Sequence, residues 1–160
     1  MGDFKVREVN SGDHAWVARL LEEHWSATKV VSRGRVHDAD RLPGFIAEAE
    51  GEPVGLVTYR IEGDECEVVT LNSLREGIGI GTALLDVVLE AARGSGCRRT
   101  WLITTNDNLH ALRFYQKRGW CLTALHRNAL DESRRLKPVI PEIGIDGIPL
   151  RDEIELEPPS

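Results

Sequence analysis

Residues 65–94 constrain the fold more than any other stretch. ECEVVTL reads as a strand, LNSLREGIGIG follows, and then TALLDVVLEAARG places Leu84, Leu85, Val88, Leu89 and Ala92 at helical spacing. Gly77, Gly79 and Gly81 alternate at the junction, and Gly94 and Gly96 close the helix. A strand that turns through glycines into a helix implies a sheet with a crossover helix, so an α/β arrangement. The turn also suggests chemistry. Glycines let backbone come close to a ligand, and a helix start offers N–H groups to an anion such as a pyrophosphate. The alternative reading is a glycine-rich structural turn. Two common nucleotide patterns fail on spacing. G-x-G-x-x-G would need Gly where Thr82 or Leu84 stands, and no glycine precedes Lys-Ser or Lys-Thr as a P-loop requires.

The rest of the chain fits one domain over residues 1–160, since 160 residues match the usual domain size. Residues 4–9 alternate and predict a first strand, and Trp16, Val17, Leu20, Leu21 and His24 predict a helix over 13–24. Residues 25–42 are irregular and admit a strand or a helical turn. Strands at 45–49, 54–61 and 65–71 are separated by Glu50-Gly51-Glu52-Pro53 and Glu62-Gly63-Asp64, which predicts an antiparallel meander. After the glycine turn and its helix come a strand at 99–105, a capping cluster Asn106-Asp107-Asn108, a helix ended by Gly119, and a strand at 120–127. The expected architecture is a mixed central sheet flanked by helices on both faces, an α/β (α+β) fold.

Residues 128–150 depart from this rhythm as an inserted segment before a last strand in RDEIELE. Hairpin connections usually have about 2–5 residues, and so long a connection is expected to be ordered, with a plain surface excursion as the alternative. Ile140, Ile143, Ile145 and Ile148 are expected to pack over the sheet, as a wall of an acceptor site or as a homodimer contact.

Composition excludes several classes. Lys and Arg total 20 against 26 Asp and Glu, a formal charge of −6 that disfavours nucleic-acid binding and mildly favours a cationic partner. The three cysteines are odd in number and widely spaced, which suits reduced thiols in a cytoplasmic protein. No His/Cys pair has metal-ligand spacing, so no metal is expected. MGDFKVREVN lacks the apolar core of a secretory leader, and no run approaches a membrane span, so no membrane association is expected.

About 25 residues beyond the glycine turn stands NLHALRFYQKRGW, with Asn108, Ala111, Phe114-Tyr115 and Gly119-Trp120. The two segments together resemble the GNAT superfamily of acetyl-CoA-dependent N-acetyltransferases. That family's first signature is Gln/Arg-x-x-Gly-x-Gly/Ala at a strand-to-helix turn, and its second is the Asn…Ala…Phe-Tyr…Gly-aromatic pattern found here complete. The resemblance covers roughly residues 4–127. There is one departure: Glu76 occupies the Gln/Arg slot, and Arg75 sits one position early.

The resemblance implies a GNAT-like fold and transfer of the acetyl group of acetyl-CoA to a small-molecule or protein amine by direct attack. A binding module for acyl-CoA without turnover, and a transferase of longer acyl groups, are the alternatives. It implies a cofactor site in Leu71, Arg75, Gly77, Ile78, Gly79, Ile80, Gly81, Thr82 and Asn108, with the backbone N–H near Leu71 as oxyanion donor. Tyr115 takes the general-acid position; its alternative reading is a core aromatic. Glu65, Glu67, Val69 and Leu71 share one strand face by the period of two, and Glu67 interrupts an apolar strand. It is the candidate base, acting through water, or else a solvated charge at the strand start. Arg33, Arg35 and His37 fall where the family builds its acceptor site, with a solvated loop as the alternative. Trp25 lines the acceptor pocket or packs.

Overall fold

The structure is a computed structural model that describes residues 3–25 and 27–159. In chain order the strands and helices are β1 (Lys5–Glu8), α1 (His14–Trp25), β2 (Lys29–Ser32), β3 (Arg35–Asp38), β4 (Gly44–Ala49), β5 (Glu52–Glu62) and β6 (Glu65–Ser73), followed by α2 (Ile80–Gly94), β7 (Arg99–Thr105), α3 (Leu109–Lys117), β8 (Cys121–His126), α4 (Ala129–Leu136) and β9 (Glu153–Glu157). Seven strands form one sheet in the order β1-β4-β5-β6-β7-β9-β8. The fold is α/β, a large mixed sheet flanked by helices. Of the irregular segment 25–42, Ser26 lies outside the described residues, and residues 29–41 contain the β2–β3 hairpin and a 3₁₀ turn at Ala39–Arg41. Its tip is Arg33-Gly34, both left-handed (φ 48° and 70°), as a two-residue hairpin turn requires.

The chain divides into two compact units, one of Met1–Lys29 with Asp38–Thr100, the other of Val30–His37 with Trp101–Ser160. In the first, β1, β4, β5 and β6 pair antiparallel, and α2 packs on the meander. Leu84, Leu85 and Val88 of α2 are buried, as is Val57 on the β5 face that α2 covers, and each such side chain contributes about 1.5–3 kcal/mol. Gly55 permits the close approach. A Cβ there would lie 2.6 Å from Ile80 Cγ2 and 3.2 Å from Leu84 Cδ1.

Two bulges revise the expected strands. The turn between β4 and β5 is only Glu50-Gly51, and Glu52 and Pro53 already belong to β5. Pro53 is tolerated because the register slips there, leaving Val54 as the extra residue. In β6 the register slips between Thr58 and Tyr59 of the partner strand, so Val69 is the extra residue. Directly paired residues share a face. Glu67 pairs with Arg60 and Leu71 with Val57, three residues apart along β5, so Glu67 and Leu71 point to opposite faces. The simple period of two predicted one shared face, and the bulge inverts it.

In the second unit, β9 pairs antiparallel with β7 on one side and β8 on the other. The segment 128–150 carries α4, a bridge between Ile143 and Pro149, and a 3₁₀ turn at Ile145–Gly147. Asn106 and Asp107, expected as helix caps, hold this segment instead. Asp107 Oδ2 accepts from the Ile145 N–H at 2.9 Å, and Asn106 Nδ2 donates to the Pro149 carbonyl at 2.8 Å. Asn106 Oδ1 accepts from the N–H groups of Arg151 and Asp152 at 3.0 and 2.9 Å. Arg134 closes the other side on the carbonyls of Pro141 and Leu150. The segment is thus ordered by polar clamps. Of its four isoleucines, Ile143 and Ile145 stay exposed, against the expectation of a buried apolar set.

Candidate active site

The glycine turn is built as the sequence predicts. Gly77 and Gly79 have φ of 81° and 86°, and a Cβ on either would meet no atom within 4 Å. These conformations turn β6 into α2 and leave open space around the backbone. Ser73 Oγ donates to the Arg75 carbonyl at 3.0 Å and bends the start of the loop. Arg75 and Glu76 are exposed, and Ile78 is half-buried. Gly79 caps α2, its carbonyl accepting the first helical bond from Ala83 at 3.0 Å. The first turn of α2 therefore begins with Ile80, Gly81 and Thr82, and it carries no acidic side chain. A helix start of this kind favours an anion.

Along the end of β6 the backbone alternates. The Leu74 N–H donates to the Val54 carbonyl at 2.8 Å. Two-residue alternation then turns the N–H groups of Asn72 and Thr70 toward β5 and those of Leu71 and Ser73 away from it. Glu67 is buried at 7% exposure, on the face that also carries Thr58, Thr70 and Asn72. Thr58 and Thr70 share a hydroxyl hydrogen bond of 2.6 Å. The opposite face, with Gly55, Val57 and Leu71, is the one α2 covers. Trp25 closes α1 and donates its indole N–H to Asn72 Oδ1 at 2.9 Å. Asn72 was not singled out by the sequence reading. Its signal is a lone amide at the end of an apolar strand, beside Leu71.

In the second unit, Asn108 caps α3 as expected, its Oδ1 accepting from the Ala111 N–H at 3.1 Å. The far end of α3 explains the spacing of the second motif. The Gly119 N–H bonds to the Gln116 carbonyl and the Trp120 N–H to the Tyr115 carbonyl, at 3.0 and 3.1 Å. This is a Schellman closure, and Gly119 supplies its left-handed residue with φ 86°. The closure folds Trp120 back onto Tyr115, their ring centroids 5.8 Å apart, with Phe114 edge-on to Tyr115 at 5.4 Å. Tyr115 is thereby buried, at 9% exposure, and burial pushes its phenol well above the ordinary tyrosine value. The hydroxyl is held protonated at neutral pH.

The three residues expected for an acceptor site lie on the β2–β3 hairpin, and it treats them differently. Arg35 is exposed. His37 is buried, with Nε2 and the Ser32 hydroxyl 3.0 Å apart, so the solvated-loop reading does not hold for it. Arg33 donates through its backbone N–H and its guanidinium to Glu153, each at 3.2 Å. Glu153 is 2% exposed and was missed, because in RDEIELE it reads as an outward charge. The first unit thus holds the glycine turn, Leu71, Glu67 and Trp25, with Leu71 and Glu67 on opposite faces of β6, and the second holds Asn108, Tyr115, Arg33, Arg35 and His37. Among the described residues no group of His, Cys, Asp and Glu is arranged to hold a metal, and no helix is long and apolar enough to cross a membrane.

The family model described as "Acetyltransferase (GNAT) family" matches residues 10–120. The uncharacterized protein YdhI of Bacillus subtilis is 47% identical over 136 residues, covering 84% of this chain and 85% of YdhI. Among solved structures, a GNAT family acetyltransferase from Elizabethkingia anophelis with acetyl-CoA bound shares the fold at a TM-score of 0.71, 17% identity and full coverage of both chains. The ribosomal-protein-S18-alanine N-acetyltransferase of Escherichia coli matches at 0.69, with 17% identity over 98% of this chain and 94% of that one. With a family model that spans both the glycine turn and the Asn108–Trp120 motif, the chain belongs to the GNAT acetyltransferase family and is an acyltransferase.

Proposed function

We propose that this acyltransferase moves the acetyl group of acetyl-CoA to the nitrogen of an amine by direct attack, as a cytoplasmic enzyme. The observation that carries the reading is the open glycine turn, left-handed at Gly77 and Gly79 ahead of an acid-free helix start, which suits the CoA pyrophosphate. The solved relative with acetyl-CoA bound supports the donor, and the S18-alanine N-acetyltransferase supports an amine acceptor.

The neutral amine nitrogen attacks the thioester carbon. The C–N bond forms, and the carbonyl electrons move to oxygen, where the backbone N–H at Leu71 stabilises them. The C–S bond then breaks, and the departing thiolate takes the proton of the Tyr115 hydroxyl. The proton released by the nitrogen passes to the Glu67 carboxylate through water. Tyr115 suits its part because burial keeps it neutral. Asn108 sets the start of its helix, and its assigned part is a polar contact to the cofactor arm. Arg75 offsets Glu76 at the pyrophosphate, and Arg35 and His37 belong to the acceptor side.

Tyr115→Phe tests the reading, since it retains the ring and removes the proton. With thiol release from acetyl-CoA followed over an amine panel, kcat should fall about 10²–10⁴-fold while CoA affinity is retained. An unchanged kcat where chemistry limits the rate removes Tyr115 from the step. Tight CoA binding with no thiol release from wild type selects the non-catalytic module.

A further inference from the structure

The Trp25–Asn72 bond fixes more than the position of α1. An indole N–H donates and cannot accept. The Asn72 oxygen that meets it at 2.9 Å is therefore committed, and the amide has one orientation, with its Nδ2 pointing away from Trp25. Among the described residues no hydrogen bond takes up that Nδ2. Asn72 as a residue is half-buried.

Its place on β6 gives these donors a meaning. Asn72 directly follows Leu71, and consecutive Cα atoms are about 3.8 Å apart. The side chains of the two residues leave β6 on opposite faces. Leu71 faces α2, whereas Asn72 shares its face with Thr70 and Glu67. An amine deprotonated through Glu67 has to come from the Glu67 face. Such an amine, attacking a carbonyl held at Leu71, passes beside the Asn72 amide.

We propose that Asn72, oriented by Trp25, is a specificity-determining donor that selects amines with a carbonyl or carboxylate oxygen three bonds from the reacting nitrogen, as in an amino acid or the amino end of a peptide. This rests on the acyl-transfer reading above. An amide N–H pair is matched by an oxygen acceptor and gains nothing from an alkyl group. An acceptor lacking that oxygen leaves the donors unmatched, which separates the two kinds of amine by roughly tenfold.

The test compares alaninamide with isopropylamine, its counterpart without the carbonyl, in wild type, Asn72→Asp and Trp25→Phe. Asn72→Asp still offers an oxygen to the Trp25 indole but has no N–H donors, so it preserves the structural bond and deletes the proposed function. The readout is the alaninamide-to-isopropylamine ratio of kcat/KM relative to wild type, which cancels the different basicities of the two amines. The ratio is expected to drop about tenfold in Asn72→Asp. It should drop partway in Trp25→Phe, where the amide is free to turn over. CoA affinity should hold in both. A ratio that is unchanged in Asn72→Asp while thiol release continues overturns the proposal and leaves acyl transfer standing. If neither amine is acetylated, calorimetry decides. Alaninamide binding that Asn72→Asp abolishes supports the donor role and counts against acyl transfer to these amines, whereas no alaninamide binding by wild type overturns the proposal.

Discussion

Tyr115 shows how one side chain's environment sets what it can do. Its ring is enclosed by Phe114 and Trp120, and burial raises its pKa above the ordinary value of 10.0. The sign is direct. A phenol with a raised folded-state pKa stays neutral past the pH at which an exposed tyrosine ionises. Its contribution to stability is complete below pH 10 and is lost as pH climbs through the raised value. The pH profile of kcat should therefore have no falling limb from Tyr115 at or below pH 10, and the destabilisation that its ionisation brings should appear only above it. A limb below pH 10 that Tyr115→Phe abolishes would contradict this. Tyr115 was singled out by the resemblance of the Asn108–Trp120 motif to the family pattern, and the structure adds that the Phe-Tyr…Gly-Trp spacing is the spacing of a Schellman closure. Glu67 was legible as a strand carboxylate, but its face was not. One extra residue at Val69 reverses the parity, and nothing in ECEVVTL distinguishes a bulge from a regular strand.

At the scale of elements, the segment 128–150 is held by residues outside it, Asn106 and Asp107 among them. Asp107 is buried and accepts from both the Ile145 N–H and the Thr105 hydroxyl. A Cβ on Gly144 would collide with the same carboxylate, so the loop and the acid are fitted to each other. Asp107→Ala leaves a donor unmatched and should cost roughly 1–3 kcal/mol. Hydrogen exchange should then quicken across residues 142–150, while the amides of α2 keep their protection. Equal exchange in both proteins would show that the clamp is dispensable. Pro and Gly content made an ordered loop readable, but not the means of ordering. The isoleucines suggested apolar packing, whereas the segment is held by Asn106, Asp107 and Arg134. Hydrogen bonds between residues about forty positions apart have no local signature.

For the molecule as a whole, a ligand that binds only the folded chain stabilises it by mass action. Acetyl-CoA at about one hundred times its Kd should add about 2.7 kcal/mol. At roughly 2–4 °C per kcal/mol for a chain of this size, the Tm should rise by about 5–10 °C. Thermal unfolding with and without acetyl-CoA checks this, and an unmoved Tm at saturating ligand would exclude the glycine turn as a cofactor site. Outside residues 25–42, the sequence by itself determined the order of strands and helices, the glycine turn and both ends of α3, because these follow from periodicity, φ above zero and capping within a few residues. Tertiary structure alone decided which face Glu67 and Asn72 share, that Arg33 reaches a buried Glu153, and that Asp107 holds a loop instead of capping a helix. Those outcomes depend on register and on partners remote in sequence, where the stability of each contact comes from burial that only the folded chain creates.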